Sequence, residues 1–420
     1  MSPIPPVAEL EILSQGDEVV QGYTVDTNAA WIAQRATELG LAVGRHASVG
    51  DDPAAIAGLL FEAADRATEI VCTGGLGPTD DDHTADAVAA AFGLELRVHP
   101  QALEQIRARY ATFGRELDVT GQRQARIPAG ARLLENRWGT APGFVVERWP
   151  CRLWFLPGVP REMRRMMEAH VIPGWRKRYP QLEAGRLVTV RCVGLGESRA
   201  QLLLRGLEHP AVRLGFRAAV PEVQIKLRFE ADADEAFVAE YVEQVRGVVE
   251  RWAYTVQDST VPGSGGSLEG VVGRALLARG ETVATAESCT AGRVAAALTR
   301  KPGSSAWMLE GAVVYSNAAK ERLCGVPAAM LEEHGAVSEP VALALAQGVR
   351  QRSGATWGLA TTGIAGPGGG TEDKPVGTVH IAVAGPEGTA HRLLRLPGDR
   401  QHVMDLSVAS VLKLLHEQLS

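Results

Sequence analysis

Residues 281–294 read ETVATAESCTAGRV and set Ser288 beside Cys289 where a short apolar run gives way to a helical pattern. A hydroxyl or thiol at such a junction faces the free amides of a helix start, where an anion can sit. A serine can attack an amide carbonyl if a neutral lysine takes its proton. Lys320, in YSNAAK, is the candidate base: Ser316 or Asn317 suits the N-cap, which puts Lys320 in the first turn of a helix. By itself that placement reads first as a surface lysine. Amides at the start of the 290s helix could stabilise the oxyanion. Cys289 has no histidine nearby in sequence to activate its thiol. GIAGPGGG (363–370) follows the apolar TWGLATT and suits a backbone cradle for phosphate or sugar, although in isolation a ligand-free glycine turn is the commoner case. His380 and His391 are alternative bases, but His380 lies in the strand-like GTVHIAV, where a structural role is expected.

A second constellation lies in CTGGLGPTDDDHT, residues 72–84. Gly74, Gly75 and Gly77 let the backbone approach a ligand, and the loop feeds a helix for which Thr84 is the expected cap. Asp80, Asp81 and Asp82 cannot sit against a phosphate unaided; a divalent metal would have to bridge them. The competing reading is a solvated acidic turn that favours the helix dipole. Asp17 and Glu18 follow the first strand, where open α/β sheets place ligand groups. Neither GxxxxGK[ST] nor GxGxxG occurs.

The elements that must position these groups alternate. AELEIL, TNAAWIAQRATELG (capped by Thr27 or Asn28), TEIVCTGG, TADAVAAAFG, CRLWFLPG and VPREMRRMMEAHVIP read as strand and helix in turn, which implies an α/β domain with a mostly parallel sheet. PGWRKRYPQLEAGR reads as a linker, followed by a small α+β module. DSTVPGSGGS (258–267) reads as a flexible boundary, and a second α/β domain runs from Leu268 to a final helix bearing Val408, Val411, Leu412 and Leu415. The expected division is therefore 1–173, 174–257, a linker at 258–267, and 268–420, with the last part able to fold alone. A net charge of −6 gives no reason to expect nucleic acid or an anionic membrane as partner. Five scattered cysteines without a CxxC argue for a reducing compartment, and the absence of a leader pattern or long apolar run makes cytoplasmic the default.

These stretches, with DTN (26–28), GTAPGF (139–144), LPGVPREM (156–163), KPVGTV (374–379) and PGDR (397–400), carry a resemblance to the bacterial competence/damage-inducible CinA family over essentially the whole chain. The resemblance implies an N-terminal molybdopterin-binding-like α/β domain, a small KH-like α+β middle module and a C-terminal α/β deamidase domain. It implies deamidation of nicotinamide mononucleotide to nicotinate mononucleotide and ammonia, with no cofactor at that site. It assigns Ser288 as nucleophile, Lys320 as base and Tyr315 as a lining or proton-relaying group. Cys289, Thr290, Asn317, Gly363, Ile364, Ala365, Gly366, Thr378 and Arg400 are then substrate-binding. For the first domain it implies metal-dependent ADP-ribose pyrophosphatase activity. Glu18, Asn28, Gly74, Gly75, Leu76 and Gly77 would bind the nucleotide, and Asp81 and Asp82, with Asp17 as a further candidate, would hold magnesium, manganese or cobalt. A homodimer is expected, and a recombination protein is a further candidate partner. Competing readings are a molybdopterin-like cofactor binder without turnover and a non-catalytic interaction protein in DNA uptake. Three departures stand out: Ala291 replaces a glycine, tolerable if that position is helical; Asp17 and Asp80 add carboxylates; and the middle module lacks a GxxG loop, which counts against RNA binding.

Overall fold

A computed structural model describes residues 9–114, 116–182 and 185–420. The leader reading rested on MSPIPPVAEL, whose first eight residues lie outside that range. The chain divides into two compact units, Met1–Gly185 and Arg186–Ser420.

The first unit is built on a six-stranded sheet in the order Ala42–Val49, Glu9–Gln15, Glu69–Thr73, Cys151–Leu156, Gly143–Arg148, Arg132–Leu134. The first four run parallel, and the last two turn antiparallel. Glu69–Thr73 is buried along its whole length, as a central strand covered on both faces must be. Asp26, not Thr27 or Asn28, caps the helix Thr27–Glu38 by accepting from the Ala29 amide. The stretch expected to be a linker at 173–186 begins as the helix Ile172–Arg178. Its Trp175, with Tyr179 just beyond it, is buried in the core. Both donate to the buried carboxylate of Glu69, at 3.0 and 3.1 Å, as does the Trp154 indole at 2.7 Å. The expected boundary at residue 173 would cut through this helix. A basic, proline-flanked stretch hid it, because its apolar residues bind one buried acid distant in sequence.

In the second unit, residues 186–258 follow the order strand, helix, strand, strand, helix, strand. The strands form an antiparallel sheet ordered Val212–Ala219, Glu222–Phe229, Arg186–Val193, Ala253–Asp258, the split βαβ arrangement. The remaining residues build a five-stranded sheet ordered Met308–Val313, Val283–Glu287, Trp357–Gly363, Thr378–Gly385, Gly388–Arg395. The first three run parallel, the rest antiparallel. The 258–267 stretch is not a free tether. Ser264 donates to the Asp258 carbonyl and accepts from its amide, and Arg191 and Arg274 hold the carbonyls of Gly266 and Gly265. Val193 and Tyr254 share one hydrophobic cluster with Leu268, Val272 and Leu415. Glycine and serine here serve close packing, which composition alone cannot distinguish from flexibility. No helix among the described residues is long and apolar enough to cross a membrane.

Candidate active site

Three parallel strands of the second unit end side by side. Ser288 follows Val283–Glu287, Val314 and Tyr315 follow Met308–Val313, and Ile364 to Pro367 follow Trp357–Gly363. Stretches separated by tens of residues therefore meet at the carboxyl edge of the sheet, where open α/β folds assemble ligand sites.

Lys320 is the fourth residue of the helix Asn317–Cys324, capped by the Ser316 hydroxyl at 3.2 Å from the Ala319 amide. It is not the surface lysine its sequence context suggests: it is 1 % exposed. Its Nζ lies 2.9 Å from the Val314 carbonyl, 3.3 Å from the Tyr315 carbonyl and 3.4 Å from Ser288 Oγ. Burial lowers its pKa below that of an ordinary lysine, and no carboxylate stands among the causes that would raise it. A neutral amine has two protons and one lone pair. The two carbonyls can take the protons, and the lone pair is then left for the serine hydroxyl. Three oxygens would equally take the three protons of an ammonium, so what favours the neutral amine is burial.

Cys289 is buried, and burial pushes its thiol up to about 12. A thiol so far from ionising is a poor nucleophile at neutral pH. Of the two neighbours, Ser288 is the one that meets the buried amine.

The turn after Ser288 departs from expectation. The helix starts at Arg293, not at 290. Ala291 has φ 52°, left-handed rather than helical, a conformation that suits the glycine the resemblance implies and strains the alanine here. The amides expected to form an oxyanion hole are occupied: Glu287, 1 % exposed, accepts from Gly292, Val294 and Ala295 at 3.0, 2.9 and 2.8 Å. Thr290, expected to bind substrate, is buried and donates to Glu287 at 2.7 Å. Sequence inspection passed over Glu287 because an acid next to a candidate nucleophile reads as polar surface. Its place at the end of a wholly buried strand is the signal that could have found it. Among the described residues, the Cys289 and Thr290 amides meet no acceptor.

Arg400, the first residue of the helix Arg400–Leu419, donates to the Gly366 carbonyl at 2.8 Å and to the Tyr315 hydroxyl at 3.2 Å. It thus joins the glycine loop to Tyr315, which stays well exposed. Asn317 is exposed beside them. Gly363, Ile364 and Ala365 turn the chain, with the Ile364 amide bonded to the Thr378 carbonyl. Thr378 is buried, and its hydroxyl donates to Pro375 and accepts from Arg395, so it braces the loop rather than facing a ligand. His380 pairs with His391 at 3.0 Å, and burial first, then that neighbour, lowers it to about 4. That is a satisfied structural pair, not a base for Ser288.

In the first unit the expected residues also gather at carboxyl ends of parallel strands, but most are spent within the fold. The Asp82 carboxylate accepts from the Gly77 and Thr79 amides, each at 2.8 Å. Asp17 accepts from the Asp51 amide at 3.1 Å, and Asp80 pairs with Arg123. Asp81 is exposed, its pKa lowered chiefly by the Thr79 hydroxyl. His83, not Thr84, precedes the helix Thr84–Phe92, while Thr84 is buried and bonds the Gly74 carbonyl. Gly74 and Gly75 take φ 107° and 62°, and Gly77 leaves no room for a Cβ against Asp82, so the glycines are required by the turn itself. Leu76 is buried, and Glu18 is exposed beside Gly16. Asn28 donates to the Gly158 carbonyl at 2.6 Å, and its Oδ1 is buried without a partner. Among the described residues no cluster of three or more His, Cys, Asp or Glu could hold a metal ion.

A serine held against a buried lysine thus lies at the open edge of the second unit's α/β sheet. Comparison with known proteins gives the family. The CinA C-terminal domain profile matches residues 266–419, and one described as "Probable molybdopterin binding domain" matches residues 11–177. A CinA-like protein of Anaeromyxobacter sp. (strain K) is 44% identical over 411 residues, covering 97% of this chain and 98% of that relative. One from Geobacter sulfurreducens is 42% identical over 413 residues, covering 98% and 99%. The crystal structure of the competence/damage inducible protein CihA from Agrobacterium tumefaciens is 40% identical and covers 37% of this chain and 96% of that one, with a TM-score of 0.35. The chain belongs to the CinA family.

Proposed function

We propose that the second unit is an amidohydrolase that converts nicotinamide mononucleotide to nicotinate mononucleotide and ammonia. The observation that carries this reading is the contact between Ser288 Oγ and the buried Nζ of Lys320. In the forward step Ser288 Oγ bonds to the carboxamide carbon while its proton passes to Lys320. The C–N bond then breaks as Lys320 returns that proton to the departing ammonia, leaving an ester on Ser288. Water attacks the ester, gives its proton to Lys320, and the serine oxygen recovers it as the acid leaves. The Cys289 and Thr290 amides are the donors left for the oxyanion. Arg400 has guanidinium protons beyond those given to Gly366 and Tyr315, and with the 363–367 turn it suits the nucleotide phosphate. The test is ammonia release from nicotinamide mononucleotide by the full chain between pH 7 and 9; its absence would remove the assignment.

For the first unit the supported reading is ligand binding at the Gly74–Gly77 turn, carried by the unpartnered Oδ1 of buried Asn28. Of the carboxylates expected to hold a metal, both Asp82 oxygens are bonded within the loop and Asp17 is held by Asp51, while Asp81 is exposed. These contacts support binding at the turn and no pyrophosphatase step. Incubation with ADP-ribose and magnesium, manganese or cobalt tests it directly: AMP formation would reinstate the activity.

A further inference from the structure

A carboxylate that takes three amides of one helix turn, one residue before a candidate nucleophile, does more than cap a helix. We infer that Glu287 is the positioning residue of Ser288, an inference that rests on the proposed serine–lysine chemistry. Glu287 closes Val283–Glu287 and is almost wholly buried. One oxygen receives the Thr290 hydroxyl and the Gly292 and Val294 amides; the other receives the Ala295 amide and, at 3.3 Å, the Thr285 hydroxyl. Both ends of the turn Ser288–Gly292 are thereby fixed to one rigid group. The turn needs such a tie, because Ala291 sits at φ 52°, which an alanine leaves readily when unconstrained.

The central strand Trp357–Gly363 secures the same turn from its other side. The Ser288 amide donates to the Thr361 carbonyl at 2.9 Å, and the Thr290 and Thr361 hydroxyls lie 2.7 Å apart. Glu287, Thr290 and Thr361 thus form one buried network whose product is the location of Ser288 Oγ opposite Lys320. Glu287 meets neither reacting group, so it acts through the turn.

The experiment compares wild type with Glu287→Gln and Thr290→Val, using nicotinamide mononucleotide as substrate and a crystal structure of Glu287→Gln. Glutamine keeps the length, but its NH2 group faces amide donors. The expected result is a loss of about 100-fold in kcat, the order expected for a reacting group misplaced by about 1 Å, with KM little changed and the pH profile not displaced. Thr290→Val removes a single donor and should lose about tenfold in kcat. It carries the test if the glutamine variant does not fold. Wild-type kcat in either folded variant, or a rise confined to KM, would overturn the inference. The crystal structure reads the inference without turnover: Ser288 should move away from Lys320 and Ala291 should leave the left-handed region. An unmoved turn would overturn it. If the wild type releases no ammonia, the function assignment falls, and positioning is judged on that structure alone.

Discussion

The two units present the same device with different outcomes. In each, a glycine-containing turn at the carboxyl edge of a parallel sheet precedes a helix, and in each a carboxylate in or next to the turn takes amides that an anion might have used. Asp82 takes those of Gly77 and Thr79; Glu287 takes those of Gly292, Val294 and Ala295. What differs is the neighbour. Glu287 is followed directly by a serine that meets a buried amine, whereas the acids around Asp82 pair with Arg123, with backbone amides or with solvent. A glycine-rich turn with acids is thus a statement about backbone geometry. A nucleophile in contact with a desolvated base is a statement about chemistry.

The largest effect should come from that contact. Ser288→Ala and Lys320→Met should each lower ammonia release by about 10⁴-fold, the order seen when one member of a catalytic serine system is removed. Lys320→Arg should not rescue, because a guanidinium stays protonated. The amine acts only when neutral, and burial lowers its pKa, so the wild-type rate should rise with pH through that titration and level off above it. Stability supplies an independent sign. In the unfolded chain the lysine keeps its ordinary, higher pKa, so between the folded and the unfolded pKa the unfolded chain binds the extra proton; the cost of burying the amine is full below the folded pKa and fades as pH rises to the unfolded one. Lys320→Met should therefore raise the melting temperature of the second unit at pH 7 while abolishing turnover. A variant that lost both stability and activity would mark Lys320 as a structural group.

The next effect sharpens the contrast by touching a buried acid with no part in chemistry. Glu69 gathers Trp154, Trp175 and Tyr179 and lies 3.3 Å from Arg178. Glu69→Leu strands the buried Arg178 and should destabilise the first unit by about 3–5 kcal/mol, with ammonia release unchanged. Denaturant unfolding followed by tryptophan fluorescence measures the first quantity, and the deamidase assay the second. A parallel fall in ammonia release would show that this unit takes part in the deamidase reaction.

The sequence made the parts legible and left their joining obscure. Alternating apolar runs and glycine stops exposed the two α/β sheets, and YSNAAK and GIAGPGGG named two stretches at the sheet edge where Ser288 lies. What stayed hidden depends on long-range burial. Lys320 looks like a surface residue until the helix Asn317–Cys324 is packed, because four residues of local context cannot report desolvation. Glu287 and Glu69 are ordinary acids in sequence, yet each becomes the centre of a network drawn from distant elements. Residues 258–267 look like a tether until Arg191 and Arg274 are seen holding their carbonyls.

A smaller effect separates brace from ligand in the first unit. If Asp82 serves the turn alone, Asp82→Asn should cost about 1 kcal/mol of stability, as for loss of a side-chain cap, and leave ammonia release intact. Should the wild type prove to cleave ADP-ribose, the metal dependence of the mutant decides the rest. A brace lowers the rate at every metal concentration, whereas a ligand shifts the concentration needed for half-maximal rate. A shift of that kind would place Asp82 on the metal.

The smallest expected effect tests the serine against its neighbour. Cys289 lies beside Ser288, so proximity to the substrate cannot separate them; ionisation and packing can. With its thiol pushed up to about 12, Cys289 carries almost no thiolate at pH 7, and the chemistry asks nothing of it. Cys289→Ser exchanges sulfur for a smaller, more polar oxygen, and Cys289→Ala leaves a small void, so each should cost about 1 kcal/mol of stability and less than about threefold in rate. The same reasoning predicts that the active wild type resists thiol alkylation under native conditions, since the sulfur is both buried and protonated. The decisive pairing is Ser288→Ala beside Cys289→Ala in one ammonia assay. An inactive Cys289→Ala with an active Ser288→Ala would transfer the nucleophile to sulfur, and the tie that Glu287 places on the turn would then have to be read as positioning Cys289.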